Sequence, residues 1–244
     1  MIAFDVRLYD SLGSTQDEAR RLAQAGAPHG TVVTAREQTA GRGRHGRYWA
    51  SPPGNVHLSI VLRLGLLPPR VAELGFVAAL AVADAADAYV PGRARLKWPN
   101  DVLVDGAKIS GILIELAEDA AIIGIGLNVL RMPEQTPYPV TSLRALTCRE
   151  GAEEDEEVDA AREVLLAALA RRLDAWQSDG FARVRADWLR RAHPSGTRLQ
   201  VSTMAGVIEG CFVGLADDGA LLLDTAGGMS RFLVGDVSIR AGHW

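Results

Sequence analysis

An α+β fold is predicted for this 244-residue chain, with residues 1–193 mixing strands and helices and residues 194–244 forming a small β-barrel. Three observations carry that reading. A hydrophobic content of 48% is enough for a substantial core at this length. An Ala-rich stretch from Pro68 to about Tyr89 is apolar on most sides, as a helix buried against a sheet must be, and alternating strand-like segments flank it. Beyond His193-Pro194-Ser195-Gly196 the texture changes to short strands and turns for about 50 residues.

In chain order, Ile2, Phe4, Val6 and Leu8 alternate as a strand. Thr15 with Glu18 three residues on forms a capping box, opening a helix that Gly26 and Pro28 stop near Ala25. The strand-to-helix turn therefore presents hydroxyls and amides at a helix N-terminus, a geometry that caps a helix and can also hold a polar ligand. Thr31 to Ala35 and Val56 to Leu64 are strands, and Pro68 and Pro69 open the Ala-rich helix. Arg95 to Trp98 is a strand ending at Pro99-Asn100-Asp101. Asp105-Gly106 between apolar runs then signals a tight hairpin with Lys108 just past its turn. Ala120 to Val129 is the next antiparallel strand, and its Gly124, Gly126 and Asn128 leave side-chain volume that a ligand could occupy. A Pro-rich loop over 131–141 precedes helices from about Val158 to Gln177 and from Phe181 to Arg191. The barrel strands are placed at Arg198 to Ser202, Gly206 to Leu215, Ala220 to Asp224 and Ser230 to Val234.

Charge and cysteine usage bound the function. The net charge of −4 hides a run of seven acids over 150–159, without which the chain is +3; the run reads as a solvated loop leading into a helix N-terminus. Asp84 and Asp87 interrupt the most apolar later stretch, Gly75 to Val90, and the first residues lack a signal-type pattern, so a cytoplasmic protein with no membrane partner is expected. Cys148 and Cys211 lie far apart with no CxxC or His-rich spacing, so both read as packing residues and no metal-ligating cluster is expected.

The chemistry concentrates in Gln38-Thr-Ala-Gly41-Arg42-Gly43-Arg44-His45-Gly46-Arg47-Tyr48-Trp49, where three arginines sit among three glycines with almost no apolar anchor before Tyr48. Such a segment should stay mobile until an anion orders it. The string satisfies G-x-G-x-x-G, but Ala50-Ser-Pro-Pro-Gly54 cannot continue a helix and no acid falls in 57–67, so a dinucleotide-binding turn is rejected. A solvated basic loop is the plain alternative. The lysines add a second signal. Of 26 basic residues 24 are Arg, and only Lys97 and Lys108 are Lys. A compact ammonium kept against that preference suits a tight site where a small cation must reach a specific anion.

Ser14-Thr15-Gln16, Gln38-x-x-Gly41-Arg42-Gly43-Arg44-x-Gly46-Arg47-x-Trp49, Lys97-Trp98-Pro99-Asn100-Asp101, Lys108-x-x-Gly111-Ile-Leu-Ile-Glu115 and Gly126-x-Asn128 occur in that order, and together they resemble the biotin protein ligases over essentially the full length. The resemblance implies a catalytic domain related to class II aminoacyl-tRNA synthetases, a mixed sheet backed by helices, followed by an SH3-like barrel. It implies that biotin and ATP, with Mg²⁺, give biotinyl-5′-adenylate and pyrophosphate. Biotin then passes to one lysine of a biotin carboxyl carrier protein. By matching positions, Ser14, Thr15 and Gln38 would contact the ureido ring, with Gln16 standing where asparagine is more usual and backbone at Arg42 and Gly111 assisting. Arg42, Gly43 and Arg44 would close over the phosphates and the adenylate, Gly41 would belong to the same binding set, and Arg47 would reach the ATP phosphates. Lys108 would join the biotin carboxylate to the α-phosphate. Trp49 would wall the biotin tail or stack on adenine, and Asn128 would meet the adenine edge. Lys97 and Asp101 would orient the acceptor lysine, or Asp101 would hold Mg²⁺. The chain begins almost at the first catalytic strand, so no sequence-specific DNA binding is expected; a monomer and a homodimer both stay open. A lipoate or octanoate ligase shares this fold and is the alternative. A nucleic-acid-binding module is disfavoured by the net acidic chain.

Overall fold

The structure, a computed structural model, describes residues 2–65, 68–134, 136–147, 153–203 and 206–239. Cys148 and Glu150 fall outside the described residues. The chain opens with β1 (Asp5–Leu12), α1 (Thr15–Gln24) and β2 (Thr31–Gln38). Then come β3 (Val56–Leu62), α2 (Pro68–Val71), α3 (Glu73–Asp87), β4 (Ala94–Lys97), β5 (Asp101–Val104), β6 (Ala107–Ala117) and β7 (Ala120–Leu127). These strands make one seven-stranded sheet in the order β1-β2-β3-β7-β6-β5-β4, antiparallel except for the β1–β2 pair. Helices α4 (Leu143–Thr147), α5 (Glu154–Asp179) and α6 (Phe181–Arg191) lead into β8 (Arg198–Thr203), β9 (Gly206–Leu215), β10 (Leu221–Thr225), β11 (Gly228–Phe232) and β12 (Asp236–Ile239). The latter five form an antiparallel sheet ordered β11-β10-β9-β8-β12.

Several local expectations shift for identifiable reasons. Ser14, not Thr15, caps α1: its hydroxyl accepts from the N–H groups of Gln16 and Asp17. Glu18 takes no part in a capping box and instead pairs with Arg21 and Tyr9. The Ala-rich helix is interrupted at Ala72 and resolves into α2 and α3. Four of the acids predicted as loop, Glu154 to Glu157, form the first turn of α5, where they face the positive end of the helix dipole. The Asp105-Gly106 turn forms as expected, with φ of 48° and 81° at its two central residues. The last strand, β12, was not predicted.

The two faces of the large sheet do different work. On one face α3 lies between the sheet and α5, buried on nearly every side by contacts that include Ile60, Ile123 and Leu165. On the other face α1 packs Ala19, Leu22 and Ala23 on Val33, Val61 and Ile122. The apolar core of the first face continues without a break into Leu199, Phe212, Leu215 and Leu221 of the second sheet. Phe76 on α3 joins them, meeting Phe181 and Trp188 edge to face at 5.3 and 5.7 Å. Trp98 donates its indole N–H to the Gly219 carbonyl at 3.2 Å. Ion pairs of Arg172 with Asp84 and Asp187, and of Arg191 with Asp84 and Asp87, tie α3, α5 and α6 together.

Burial pushes His57, on β3, and His193, after α6, down to about 4, with the Lys97 charge adding to the shift at His193. In an unfolded chain both titrate near about 6.5, so between those values unfolding takes up protons and stability falls as pH falls. Above about 6.5 their contribution is fully present. The free energy of urea unfolding should therefore fall as pH drops from 6.5 toward 4, by up to about 1.4 kcal/mol per pH unit for each histidine. His57→Phe should remove its share of that slope, and an unchanged slope in this variant would refute the assignment.

Candidate functional site

A cavity of about 210 Å³ opens on the α1 face of the large sheet, and strand register explains why it is there. Where that face carries Val61 and Ile122 it is covered by α1; two residues further along each strand it carries Ser59 and Gly124, which leave room. The next row across the sheet reads Lys97, Asp101, Gly111, Gly126 and His57 on β4, β5, β6, β7 and β3. Lys108 joins this row because of a bulge. The β5–β6 register slips between Val102 and Leu103, so Ile109 is buried in the opposite core while Lys108 and Gly111 line the cavity together.

At one end the lining is neutral and polar. The Gln38 carboxamide oxygen accepts from the Thr15 N–H at 2.8 Å and from the Thr15 hydroxyl at 3.0 Å, and its amide donates to Ser51 at 2.7 Å. Thr15 Oγ1 also lies 2.9 Å from Ser59 Oγ, which is 2.9 Å from the Gln16 carboxamide oxygen. Two hydroxyls have two protons for these three contacts, so the network can take one more N–H from a ligand. Ser14 accepts two backbone N–H groups as the cap of α1, which leaves its own O–H to donate. This end can therefore hold a group that is both donor and acceptor.

The other end is cationic. Lys97 and Lys108 place their Nζ atoms 2.7 and 2.6 Å from the two carboxylate oxygens of Asp101, and all three side chains are less than one-fifth exposed. Burial alone would raise the Asp101 carboxyl; the Lys108 and then the Lys97 ammonium bring it below the usual carboxylate range. Lys108 also stands 5.3 Å from the Trp49 ring centre and 5.4 Å from that of Tyr138. Five cations but only two carboxylates line the cavity among the described residues, so an anion is the ligand that this end favours.

The Arg/Gly segment forms the remaining wall. It turns tightly, with Gly43 N–H donating to the Arg47 carbonyl at 2.8 Å and Trp49 N–H to the Gly41 carbonyl at 2.9 Å. Its arginines are anchored by carboxylates and carbonyl oxygens. Arg42 pairs with Asp17 and, at 2.6 Å, with Glu115; Arg47 pairs with Asp236 at the start of β12. Arg44 donates to Asn100 Oδ1 and to the Gly235 carbonyl, both at 3.3 Å, and stands 3.5 Å from Asp236. Burial lowers the Arg44 guanidinium, an effect that Asp236 and Asp101 oppose. The second sheet thus contributes directly to the cavity.

Most of the residues singled out from sequence converge here: Ser14, Thr15, Gln16, Gln38, Arg42, Gly43, Arg44, Arg47, Trp49, Lys97, Asp101, Lys108 and Gly111 all line the cavity. Gly41 stands behind the wall, where a Cβ would lie 2.3 Å from the Trp49 carbonyl. Asn128 is buried outside the lining, accepting and donating within the backbone of β6 and the 141 turn. The space left by Gly124 and Gly126 is filled by the chain itself: a Cβ would lie 2.6 Å from the Gln16 carboxamide oxygen and 2.4 Å from the Trp49 indole, respectively. Both oxygens of Asp101 are taken by lysines, and no cluster of three potential metal ligands occurs among the described residues. Ser59, Tyr138 and Asp236 were missed, each on an ordinary-looking strand or loop that enters the site through long-range pairing; Asn100 lies in the quoted Lys97–Asp101 run but was given no role.

Two family models match the chain: the biotin/lipoate A/B protein ligase family over residues 9–128, and the biotin protein ligase C terminal domain over 198–240. The biotin--[acetyl-CoA-carboxylase] ligase of Paracoccus denitrificans is 39% identical over 226 residues, covering 86% of this chain and 90% of that protein. The bifunctional ligase/repressor BirA of Bacillus subtilis is 34% identical over 237 residues, covering 95% and 73%. Among solved structures, the biotin protein ligase from Aquifex aeolicus in complex with biotin and ATP superimposes with a TM-score of 0.82 at 29% identity, covering 97% of this chain and 98% of that one. No helix among the described residues is long and apolar enough to cross a membrane.

Seating of the Trp49 indole on bare backbone makes Gly126 a sensitive position. Gly126→Ala should evict the ring and increase acrylamide quenching of the Trp49 emission, isolated by difference against Trp49→Phe. Unchanged quenching would show that the indole does not depend on this glycine.

Proposed function

Because the chain belongs to the biotin protein ligases, we infer that its cavity holds biotin with the ureido ring at the neutral polar end and the carboxylate among the cations. The protein activates biotin with ATP, forming biotinyl-5′-adenylate and pyrophosphate, and transfers biotin to a lysine of a biotin carboxyl carrier protein. The observation that supports this placement best is the polarity of one continuous cavity, with a donor–acceptor network at one end and the Lys97–Asp101–Lys108 cluster at the other. A ureido ring presents two N–H donors and a carbonyl; Ser14 can serve the carbonyl and the Gln16 or Gln38 oxygen an N–H. An aliphatic dithiolane would leave that network unanswered, which favours biotin over lipoate.

Adenylation brings a carboxylate to the α-phosphate, so the enzyme's task is to neutralise two approaching anions and hold them in line. Lys108 is placed to do this: it needs only to turn from Asp101 toward the ligand, while Trp49 and Tyr138 keep its Nζ beside the cavity. Arg44 and Arg47 exchange Asp236 for phosphate oxygens in this reading, and Arg42 stays bound to Glu115 with its backbone over the polar end. Mg²⁺ accompanying ATP would supply further charge neutralisation at the phosphates beside Arg44, Arg47 and Lys108. The 193/194 division is assigned here as the boundary between the catalytic domain and the C-terminal one, which reaches the site through Asp236 and Val237.

Biotin-dependent exchange of labelled pyrophosphate into ATP tests the first half-reaction without a carrier. Exchange with biotin, and not with lipoate or octanoate, is expected; exchange confined to the other two acids would move the chain to the sister activity. Lys108→Arg should lower that exchange by about 10²-fold or more, because a planar fork cannot replace a point charge held between Asp101, Trp49 and Tyr138. Near-normal exchange in this variant would refute the role given to Lys108.

A further inference from the structure

The whole sequence contains two lysines, and both stand in the cavity on one carboxylate. Everywhere else a positive side chain is an arginine, whose guanidinium stays protonated and is a poor nucleophile. An enzyme that makes an acyl-adenylate makes an electrophile that any free primary amine can open. The amine nitrogen attacks the acyl carbon, a C–N bond forms, the bond from acyl carbon to phosphate oxygen breaks, AMP leaves with the electron pair, and the nitrogen gives up a proton to solvent. In this chain the side-chain amines able to do that are confined to Lys97 and Lys108, and both are held within the cavity where the adenylate forms, at a high effective concentration.

Lys108 is engaged by the anions of the substrates in the function assigned above. Lys97 has no such partner. It faces Asp101 directly across the β4–β5 pair, its Nζ 2.7 Å from Oδ2, on a side chain 18% exposed. An ammonium donating to a carboxylate has no lone pair with which to attack. When Lys108 turns to the ligand, Asp101 gains a free oxygen but keeps Lys97. The charged and titratable groups around the pair are Lys108, Arg44, Arg47, His193, Tyr138 and Asp236, so Asp101 is the carboxylate nearest to Lys97.

We propose that Asp101 shields the biotinyl-adenylate from capture by the enzyme's own Lys97, so that the folded chain does not acylate its own side chains while it holds its reactive product. The proposal rests on the ligase reading. Asp101 acts here through Lys97, as a positioning residue, and the site of covalent labelling reports on that role in a way that a general loss of stability would not.

Presynthesised biotinyl-5′-adenylate, given to the purified chain without a carrier and followed by peptide mass spectrometry, bypasses the adenylation step. Wild-type protein should carry no biotin on Lys97. Asp101→Asn should acquire it there, at least about tenfold above wild type, given the effective concentration in the cavity. Asp101→Glu should restore protection, and Asp101→Asn with Lys97→Arg should abolish the label. The wild-type arm needs no variant to fold: substantial labelling of its Lys97 would overturn the proposal outright. Asp101→Asn that still binds the adenylate, by tryptophan fluorescence titration, yet stays unlabelled would overturn it as well. Hydroxylamine trapping separates the two readings. If wild type with biotin and MgATP yields no biotin hydroxamate, the ligase function fails and the proposal with it; if hydroxamate forms, only the labelling pattern is at stake.

Discussion

The shared carboxylate of Asp101 sets the character of the cavity. It lies between two ammonium groups on a sheet edge that β4, β5 and β6 build from consecutive hairpins, and the row cannot slip without breaking the registers on either side. Removing one partner from a buried pair costs about 3–5 kcal/mol, because the remaining charge is left uncompensated. One carboxylate between two cations is already one negative charge short. Arg44 and Arg47 extend that shortage along the wall, where Asp236 answers them from the second sheet. The cavity is thus lined by more cations than carboxylates among the described residues, and in the proposed reading a ligand with a carboxylate and phosphates balances them.

That arrangement depends on backbone left bare at chosen points. Gly126 lets the Trp49 indole lie on the sheet, Gly124 admits the Gln16 carboxamide, and Gly111 keeps space beside Lys108 and Trp49. A Cβ at Gly126 or Gly124 would come within 2.4–2.6 Å of those groups, far inside ordinary contact. The bulge at Ile109 matters equally, since strict alternation would have sent Lys108 to the α3 face and Ile109 to the cavity. Glycines and a one-residue slip therefore decide which side chains meet.

Much of this was legible in the sequence because the residue types were unusual where they occurred. Two lysines among 24 arginines marked Lys97 and Lys108, and the Arg/Gly segment marked the wall. The Asp105-Gly106 hairpin followed from local chemistry alone, with both turn residues at positive φ. What sequence could not give was pairing at a distance. Asp236 lies 189 positions after Arg47, and Glu115 lies 73 after Arg42. The Arg/Gly segment looked unanchored for that reason: its anchors are acids contributed by α1, β6 and β12. Asn128, read as a neighbour of open volume and as a contact for the adenine edge, has its amide donating to the Thr141 carbonyl at 3.0 Å, a partner that local sequence does not announce. Ser14 rather than Thr15 takes the cap because Thr15 is turned inward to Gln38 and Ser59.

Inward-facing Thr15 also shows how the two ends of the cavity are coupled. Helix α1 carries the polar end in its first turn and supplies one acid, Asp17, that holds Arg42 and one base, Arg20, that holds Glu115. The same arginine segment then reaches Asp236 through Arg44 and Arg47. Ion pairs thus tie the polar end, the Arg/Gly wall and the second sheet into one connected network. In the proposed reading, binding changes the anion facing Arg44, Arg47 and Lys108 from protein carboxylate to ligand. Exchange of one charge-assisted partner for another keeps the desolvation of these cations nearly constant, and the conformational cost of assembling them falls on folding rather than on catalysis.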